Sequence, residues 1–93
     1  MLERTIENRL VSEVRKAGGI CPKLTSPGTA GMPDRLIILP GGHIAFIELK
    51  APGQRPRPLQ VRRHQQLRQL GATVHTIDHP NQIPEVIHEI RSA

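Results

Sequence analysis

Three charged residues lie at the ends of the two most apolar segments of the chain. Asp34 precedes residues 35–39, RLIIL, and Glu48 and Lys50 close residues 43–50, HIAFIELK. Carboxylate oxygens suit hard divalent cations such as magnesium and manganese, and such a cation polarises a phosphodiester and lowers the pKa of a bound water. A lysine beside the cation can orient that water or neutralise charge in the transition state. These residue types are therefore suited to metal-assisted hydrolysis, provided that the fold brings them together.

A hairpin between the two segments would do so. Residues 40–42, Pro-Gly-Gly, are of the types that tight turns require, which predicts two antiparallel strands. If Leu39 faces His43, counting outwards places Asp34 opposite Glu48, about 4.5 to 5.5 Å away at Cβ, with Lys50 on the same face. Two carboxylates at that distance repel each other unless a cation lies between them. Charged residues at strand ends are also common as solvated groups that prevent aggregation, so an ExK triplet alone does not decide between the two interpretations.

Helices and further strands are predicted around this hairpin. Apolar residues at helical spacing predict a first helix over residues 3–17, ended by two glycines, and a short closing helix around residues 83–90. Residues 58–70 are rich in helix formers and begin with a proline, whereas residues 73–77 resemble a strand. Residues 20–26, ICPKLTS, predict another strand, weakened by its proline. The order is α, β, β, β, α, β, α, and the consecutive apolar positions of the hairpin predict that helices cover both faces of the sheet.

Length and composition narrow the class of protein. The chain has 93 residues, which fit one domain over residues 1–93. Its hydrophobic fraction is only 37%, so the core is thin, and a thin core favours association of the chain into an oligomer. The formal net charge is +5, and ten of the thirteen basic residues are arginines, which indicates phosphate partners, although charge also serves solubility. A single cysteine, Cys21, excludes an internal disulfide and predicts an intracellular protein, and no apolar run is long enough to cross a membrane.

The conjunction of motifs resembles a known family. Gly31 to Asp34 read GMPD, Glu48 to Lys50 read ELK, and a basic loop follows, with Gln60 near the start of the next helix. This pattern is similar to the PD-(D/E)xK nuclease superfamily and, within it, to the virus-type replication-repair nuclease domain, VRR-NUC. The resemblance implies an α/β fold with a restriction-endonuclease-like αβββαβ core, in which helices flank a mixed four-stranded sheet.

The resemblance also implies roles for individual residues. Asp34 and Glu48 would bind Mg2+ or Mn2+ together with the backbone carbonyl of Leu49, and Lys50 would be catalytic. Gln60 would position the water or the phosphate.

A glutamate on the first helix belongs to the same pattern. Glu7 is our choice because Leu10 and Val11 near it are predicted to face the core, and Glu3 remains an alternative. We assign no role to His64, one of five scattered histidines, and expect Cys21 to be a small buried residue.

The basic residues near the site predict a DNA-binding surface. Residues 51–77 contain no acidic residue, and with Lys23 they supply six candidate contacts to the phosphate backbone: Lys23, Arg55, Arg57, Arg62, Arg63 and Arg68. The chain has no Trp or Tyr on which single-stranded bases could stack, which favours duplex or branched DNA.

The sequence therefore predicts a metal-dependent endonuclease. Stand-alone members of the family, found in phage and prophage genomes, imply action on branched DNA such as four-way (Holliday) junctions, in the cytoplasm of a bacterium or a phage-infected host. A non-catalytic DNA-binding module that kept the fold, or a basic scaffold protein, remains an alternative. We expect a homodimer that associates through apolar residues of the first and last helices: Leu2, Ile6, Ile83, Val86, Ile87 and Ile90.

Overall fold

The computed structural model describes all residues from Met1 to Ala93. The chain forms three α-helices and three β-strands, and each lies within a few residues of its predicted position. A short 3₁₀ turn, Pro80–Gln82, leads into the last helix. The elements are α1 (Glu3–Lys16), β1 (Arg35–Leu39), β2 (His43–Leu49), α2 (Pro58–Gln69), β3 (Val74–Ile77) and α3 (Ile83–Ser92).

The predicted hairpin is confirmed in its register. β1 and β2 pair antiparallel, with Leu39 opposite His43 and Arg35 opposite Ile47. β3 pairs parallel to β2 on the other side, so the sheet is mixed, with the strand order β1-β2-β3. The parallel connection runs through α2, which carries the chain from the end of β2 back to the start of β3.

The prediction of a fourth strand is wrong. The sheet has three strands, and the segment before β1 contributes only two isolated bridges to it. Ile20 and Ile38 exchange both of their backbone hydrogen bonds, and the Leu36 amide donates to the Pro22 carbonyl. Proline has no N–H with which to return that bond, so the ladder is interrupted at Pro22. The expected α/β class with flanking helices is nevertheless correct.

One face of the sheet forms the core. Alternate strand residues, which point to this face because the strand period is two, pack against α1 and α3. Ile6 and Leu10 of α1 are fully buried there, and each such side chain contributes about 1.5 to 3 kcal/mol of transfer free energy. The buried strand residues are Ile37, Leu39, Ala45, Ile47, Leu49 and Ile77.

The opposite face is only partly covered, contrary to the expectation of helices over both faces. α2 packs against β3 and covers the end of β2 that carries Glu48. Farther from α2, Ile20, Ile38 and Ile44 lie side by side across the sheet, since each is the register partner of the next. Ile20 is 61% exposed and Ile44 is 53% exposed, so this row of isoleucines remains an apolar surface.

No helix of the chain has both the length and the apolar character needed to cross a bilayer.

Candidate active site

Asp34 is fixed where β1 meets the end of β2. The strand ladder ends at the pair of Arg35 and Ile47, and the next amide, that of Asp34, donates to the Ile47 carbonyl at 3.0 Å. The Leu49 amide then donates to Asp34 Oδ2 at 2.7 Å. The carboxylate thus replaces a backbone acceptor in the ladder, which holds it beside the Glu48 to Lys50 segment.

Glu48 is the buried centre of the cluster. It is 1% exposed. Its Oε2 lies 3.2 Å from the Lys50 ammonium nitrogen and accepts a hydrogen bond from the Gln60 side-chain amide at 3.1 Å. The pKa of the Glu48 carboxyl is raised to about 7: burial is the largest cause, the charge of nearby Asp34 adds to it, and Lys50 opposes the rise. The two carboxylates therefore compete for ionisation, as expected when like charges share a site.

Gln60 reaches Glu48 because α2 begins two residues earlier in the chain, at Pro58. Arg57 precedes the first helical residue, and its backbone amide donates to Gln60 Oε1 at 2.8 Å. This contact satisfies one of the free amides at the helix start and turns the Gln60 Nε2 towards Glu48. The predicted position of this glutamine near the start of a helix is thus the position from which it contacts the carboxylate.

His64 also lies against Glu48, which the sequence analysis missed. It is the one buried residue of α2, at 3% exposure, and its Nε2 is 3.5 Å from Glu48 Oε1. Burial lowers the pKa of the imidazole, and the charges of Arg68 and Lys50 lower it further. His64 follows Gln60 by four residues, which places both on one helix face. This spacing was the signal in the sequence from which the position of His64 beside Glu48 could have been predicted.

The loop before Asp34 is held against α2 by a glycine and an arginine. Gly31 has a φ of +81°, and a Cβ at this position would lie 3.0 Å from the Leu59 carbonyl oxygen. Arg63 donates its Nε to the Ala30 carbonyl at 3.0 Å. The glycine of GxPD thus permits both the backbone conformation and the close approach to the helix.

An open cleft of about 460 Å³ lies on the Asp34 side of the cluster. Glu3 and Glu7 of α1, Lys23 and the loop from Thr25 to Asp34 contribute to its walls. Glu7 is paired with Arg35, with Oε2 and Nε 3.0 Å apart, whereas Glu3 has no partner of this kind. Both candidate glutamates of α1 therefore share a cleft with Asp34.

Two similar proteins identify the family. No family model matches the chain. A protein described as "Putative nuclease p44", from Acyrthosiphon pisum secondary endosymbiont phage 1, is 55% identical over 76 residues, which are 82% of this chain and 82% of that protein. A solved structure described as a VRR_NUC domain superimposes with a TM-score of 0.85 at 33% identity, over 92% of this chain and 94% of that one. The chain belongs to the VRR-NUC nuclease family.

The residues that carry the VRR-NUC pattern fall into two groups in the structure. Asp34, Glu48, Lys50 and Gln60 are brought into one cluster through the contacts described above. Glu7 lines the same cleft as Asp34, but it is paired with Arg35 rather than with a member of this cluster.

The carboxylates suit a divalent cation of the kind that the VRR-NUC resemblance implies. Asp34 and Glu48 face each other as like charges, and no third His, Cys, Asp or Glu joins them in a ligand cluster. Magnesium is commonly bound by one or two carboxylates and keeps several water ligands, so this donor set fits it. The Leu49 carbonyl, between the two acidic positions and Lys50 in the chain, is a further candidate oxygen.

The predicted DNA-binding residues divide by position. Arg55 and Arg57 are exposed in the loop that leads to Gln60, and Lys23 is exposed in the cleft. Arg62, although exposed, lies two residues after Gln60 and hence about 200° around the helix from the site.

Two arginines of the predicted surface also have contacts within the fold. Arg63 bonds to the Ala30 carbonyl and to Gln66, and Arg68 donates to the Val74 carbonyl at 2.9 Å. These bonds tie α2 to the GxPD loop and to the start of β3.

Proposed function

We propose that this VRR-NUC protein is a Mg2+- or Mn2+-dependent endodeoxyribonuclease that hydrolyses phosphodiester bonds in branched DNA, with four-way junctions as its substrate. The observation that carries the proposal is the buried Glu48 carboxylate, which contacts Lys50 and Gln60 and lies beside Asp34 next to an open cleft. A purely structural cluster has no need for two competing carboxylates at the edge of a cleft, since their repulsion costs stability.

The contacts support the role that the resemblance implies for each residue. Asp34 and Glu48 hold the cation with the Leu49 carbonyl, and the cation, when bound, supplies Lewis-acid polarisation of the phosphate. Lys50, whose ammonium contacts Glu48, neutralises charge on the phosphate oxygens, while the Gln60 amide fixes Glu48 and the position of the phosphate. Glu7, or Glu3 in its place, completes the site from the far wall of the cleft.

Positive charge around the cleft suits the DNA backbone. The loop arginines Arg55 and Arg57 precede the helix that carries Gln60, and Lys23 lines the cleft itself. Arg62, Arg63 and Arg68 extend this surface along α2. With no Trp or Tyr in the chain, recognition rests on the shape and charge of duplex arms rather than on stacking of single-stranded bases. We place this activity in the cytoplasm of a bacterium or a phage-infected host, with residues 1–93 acting as one domain.

A homodimer is part of the proposal, but its surface differs from the predicted one. Ile6, Ile83, Val86, Ile87 and Ile90 are buried in the core of their own chain, and only Leu2 of the predicted set is exposed. The row of Ile20, Ile38 and Ile44 is instead the apolar surface that a second copy can cover about a two-fold axis, and none of the three residues lines the cleft. Light scattering of Ile44→Glu checks this: the variant should show the monomer mass of 10.3 kDa where the native protein shows twice that value.

The activity is tested with end-labelled duplex, flap and four-way junction DNA in Mg2+, in Mn2+ and in EDTA. We expect metal-dependent cleavage that is fastest on the junction and absent from Asp34→Asn and Glu48→Gln. Tight, salt-sensitive binding without cleavage in either metal would instead identify a DNA-binding module. Cleavage by both variants at the native rate would overturn the assignment of the site.

A further inference from the structure

We propose that His64 is a positioning residue for Glu48: its Nε2–H donates a hydrogen bond to Glu48 Oε1 and holds the carboxylate in the orientation in which it binds the metal. The inference rests on the proposed function for its metal, but the hydrogen bond itself does not.

The two atoms are a matched pair of buried groups without other partners. Glu48 Oε2 is satisfied by Lys50 and Gln60, whereas neither Oε1 nor His64 Nε2 has a hydrogen-bond partner, and they lie 3.5 Å apart. At 1% and 3% exposure, neither residue is open to solvent. A buried polar atom left unpaired destabilises the fold, and an approach of a few tenths of an ångström satisfies both atoms.

The direction of the bond follows from the groups around it. With a cation bound, Glu48 is an ionised carboxylate, and its Oε2 accepts from both Lys50 and Gln60. An ionised carboxylate only accepts, so the imidazole must donate, and a neutral imidazole has one N–H, here on Nε2. Each carboxylate oxygen has two lone pairs, and the His64 bond therefore leaves room for a cation at the same group.

One helix supplies both contacts to the carboxylate. Gln60 and His64 are one turn apart on α2, and they approach the two different oxygens of Glu48. Rotation of the carboxylate about its last bond would break one contact or the other. Outer-shell contacts of this kind fix the orientation of a metal ligand, and their loss typically lowers metal affinity about 10- to 100-fold.

Nitrogen-15 NMR of the metal-free native protein, recorded above the Glu48 pKa of about 7 so that the carboxylate is ionised, tests the hydrogen bond directly. We expect the Nε2–H tautomer of His64, and we expect Glu48→Gln to change its imidazole shifts. The Nδ1–H tautomer would overturn the inference, because Nε2 would then have no proton to donate.

Mn2+ titration calorimetry tests the positioning role. We expect His64→Leu, which keeps the volume of the side chain without a donor, to weaken Mn2+ binding about 10- to 100-fold. His64→Gln, whose amide restores a donor, should stay within about threefold of the native affinity on the same grounds. His75→Leu is the control, because His75 is a partly buried histidine on the opposite face of the sheet and should leave affinity unchanged.

The outcomes separate this inference from the proposed function. Native Mn2+ affinity in His64→Leu would overturn the positioning role while leaving the nuclease intact. A native protein that binds no Mn2+ and cuts no substrate would overturn the proposed function and the positioning role together, and the NMR experiment would still decide the hydrogen bond. If His64→Leu does not fold, His64→Gln and the native tautomer provide the answer.

Discussion

The Gln60 side-chain amide donates to the buried Glu48 carboxylate at 3.1 Å, and its own oxygen accepts from the backbone at the start of α2. The helix start and the candidate metal ligand are therefore joined through one side chain. A different atom of the side chain makes each contact, Oε1 at the helix start and Nε2 at Glu48. A substitution at this residue can therefore remove one contact and keep the other.

Gln60→Glu should abolish most cleavage while keeping the helix intact. The new carboxylate still accepts from the Arg57 amide, but it meets Glu48 as a like charge instead of donating to it. We expect cleavage to fall by at least the roughly tenfold that loss of an outer-shell contact costs, with little change in melting temperature. Gln65→Glu, at an exposed position on the same helix, is the matched control and should cleave like the native protein. Equal activity of the two variants would contradict the role of Gln60.

Lys50→Met should separate metal binding from turnover. The ammonium contacts Glu48 at 3.2 Å and opposes the rise in its pKa, so removing it raises that pKa further and the two proteins are compared well above pH 7. Under these conditions we expect Mn2+ affinity to stay within about tenfold of the native value while single-turnover cleavage falls by much more. Loss of Mn2+ binding alone, with native turnover at saturating metal, would move the role of Lys50 from catalysis to the metal.

The metal-free protein should lose stability between about pH 4.5 and pH 7. Glu48 has a pKa of about 7 in the folded protein, against 4.5 for an ordinary glutamate, so the folded state binds one more proton across this interval. The stabilisation from Glu48 is therefore complete below the lower pKa and is lost as the pH rises through the upper one. Relative to Glu48→Gln, the free energy of unfolding should fall by on the order of 3 kcal/mol between pH 4 and pH 8 in urea titrations.

Magnesium supplies the control for this pH effect. At pH 8 an excess of Mg2+ should stabilise the native protein, since ligands that bind only the folded state raise the free energy of unfolding. The free energy of unfolding of Glu48→Gln should rise less with Mg2+, because the variant lacks one of the proposed metal ligands. A pH profile that is parallel in the two proteins would show that Glu48 titrates normally.

Gly31→Ala should cost more stability than Gly28→Ala. Both glycines have a φ of +81°, so both variants strain the backbone, by about 1 to 2 kcal/mol for a left-handed residue. Only at Gly31 would the new Cβ also press on the Leu59 carbonyl, at 3.0 Å, because nothing lies within 4 Å at Gly28. Thermal melts should order the proteins as native, then Gly28→Ala, then Gly31→Ala. Equal melting temperatures for the two variants would show that the loop is not held tightly against α2.

Arg55→Ala with Arg57→Ala should weaken DNA binding without regard to sequence. Both arginines are exposed beside the site, and each lost phosphate contact lowers the slope of log affinity against log salt by about 1. We therefore expect a slope shallower by about 2 in anisotropy titrations. Arg91→Ala, in the last turn of α3, is the control and should leave the slope unchanged. An unchanged slope in the double variant would place the DNA contacts along α2 instead.

The sequence by itself determined the hairpin and the residues that it brings together. A Pro-Gly-Gly turn between two apolar segments leaves little choice of register, and the strand period of two then places Asp34, Glu48 and Lys50. The position of Gln60 was also predictable, because a proline marks where α2 begins. These features depend on local geometry, which the order of residues specifies directly.

The tertiary structure alone decided what depends on distant packing. The residues around Pro22 do not by themselves decide whether this segment is a strand. Its two bridges to β1 show that only some of the hydrogen bonds of a strand ladder form. The apolar residues of α1 and α3 were predicted as a dimer surface, but they are the core, because the two helices pack together over one face of the sheet. His64 became a candidate only when the docking of α2 buried it against Glu48. Burial is a property of how elements pack against one another, and the spacing of residues along one element does not specify it.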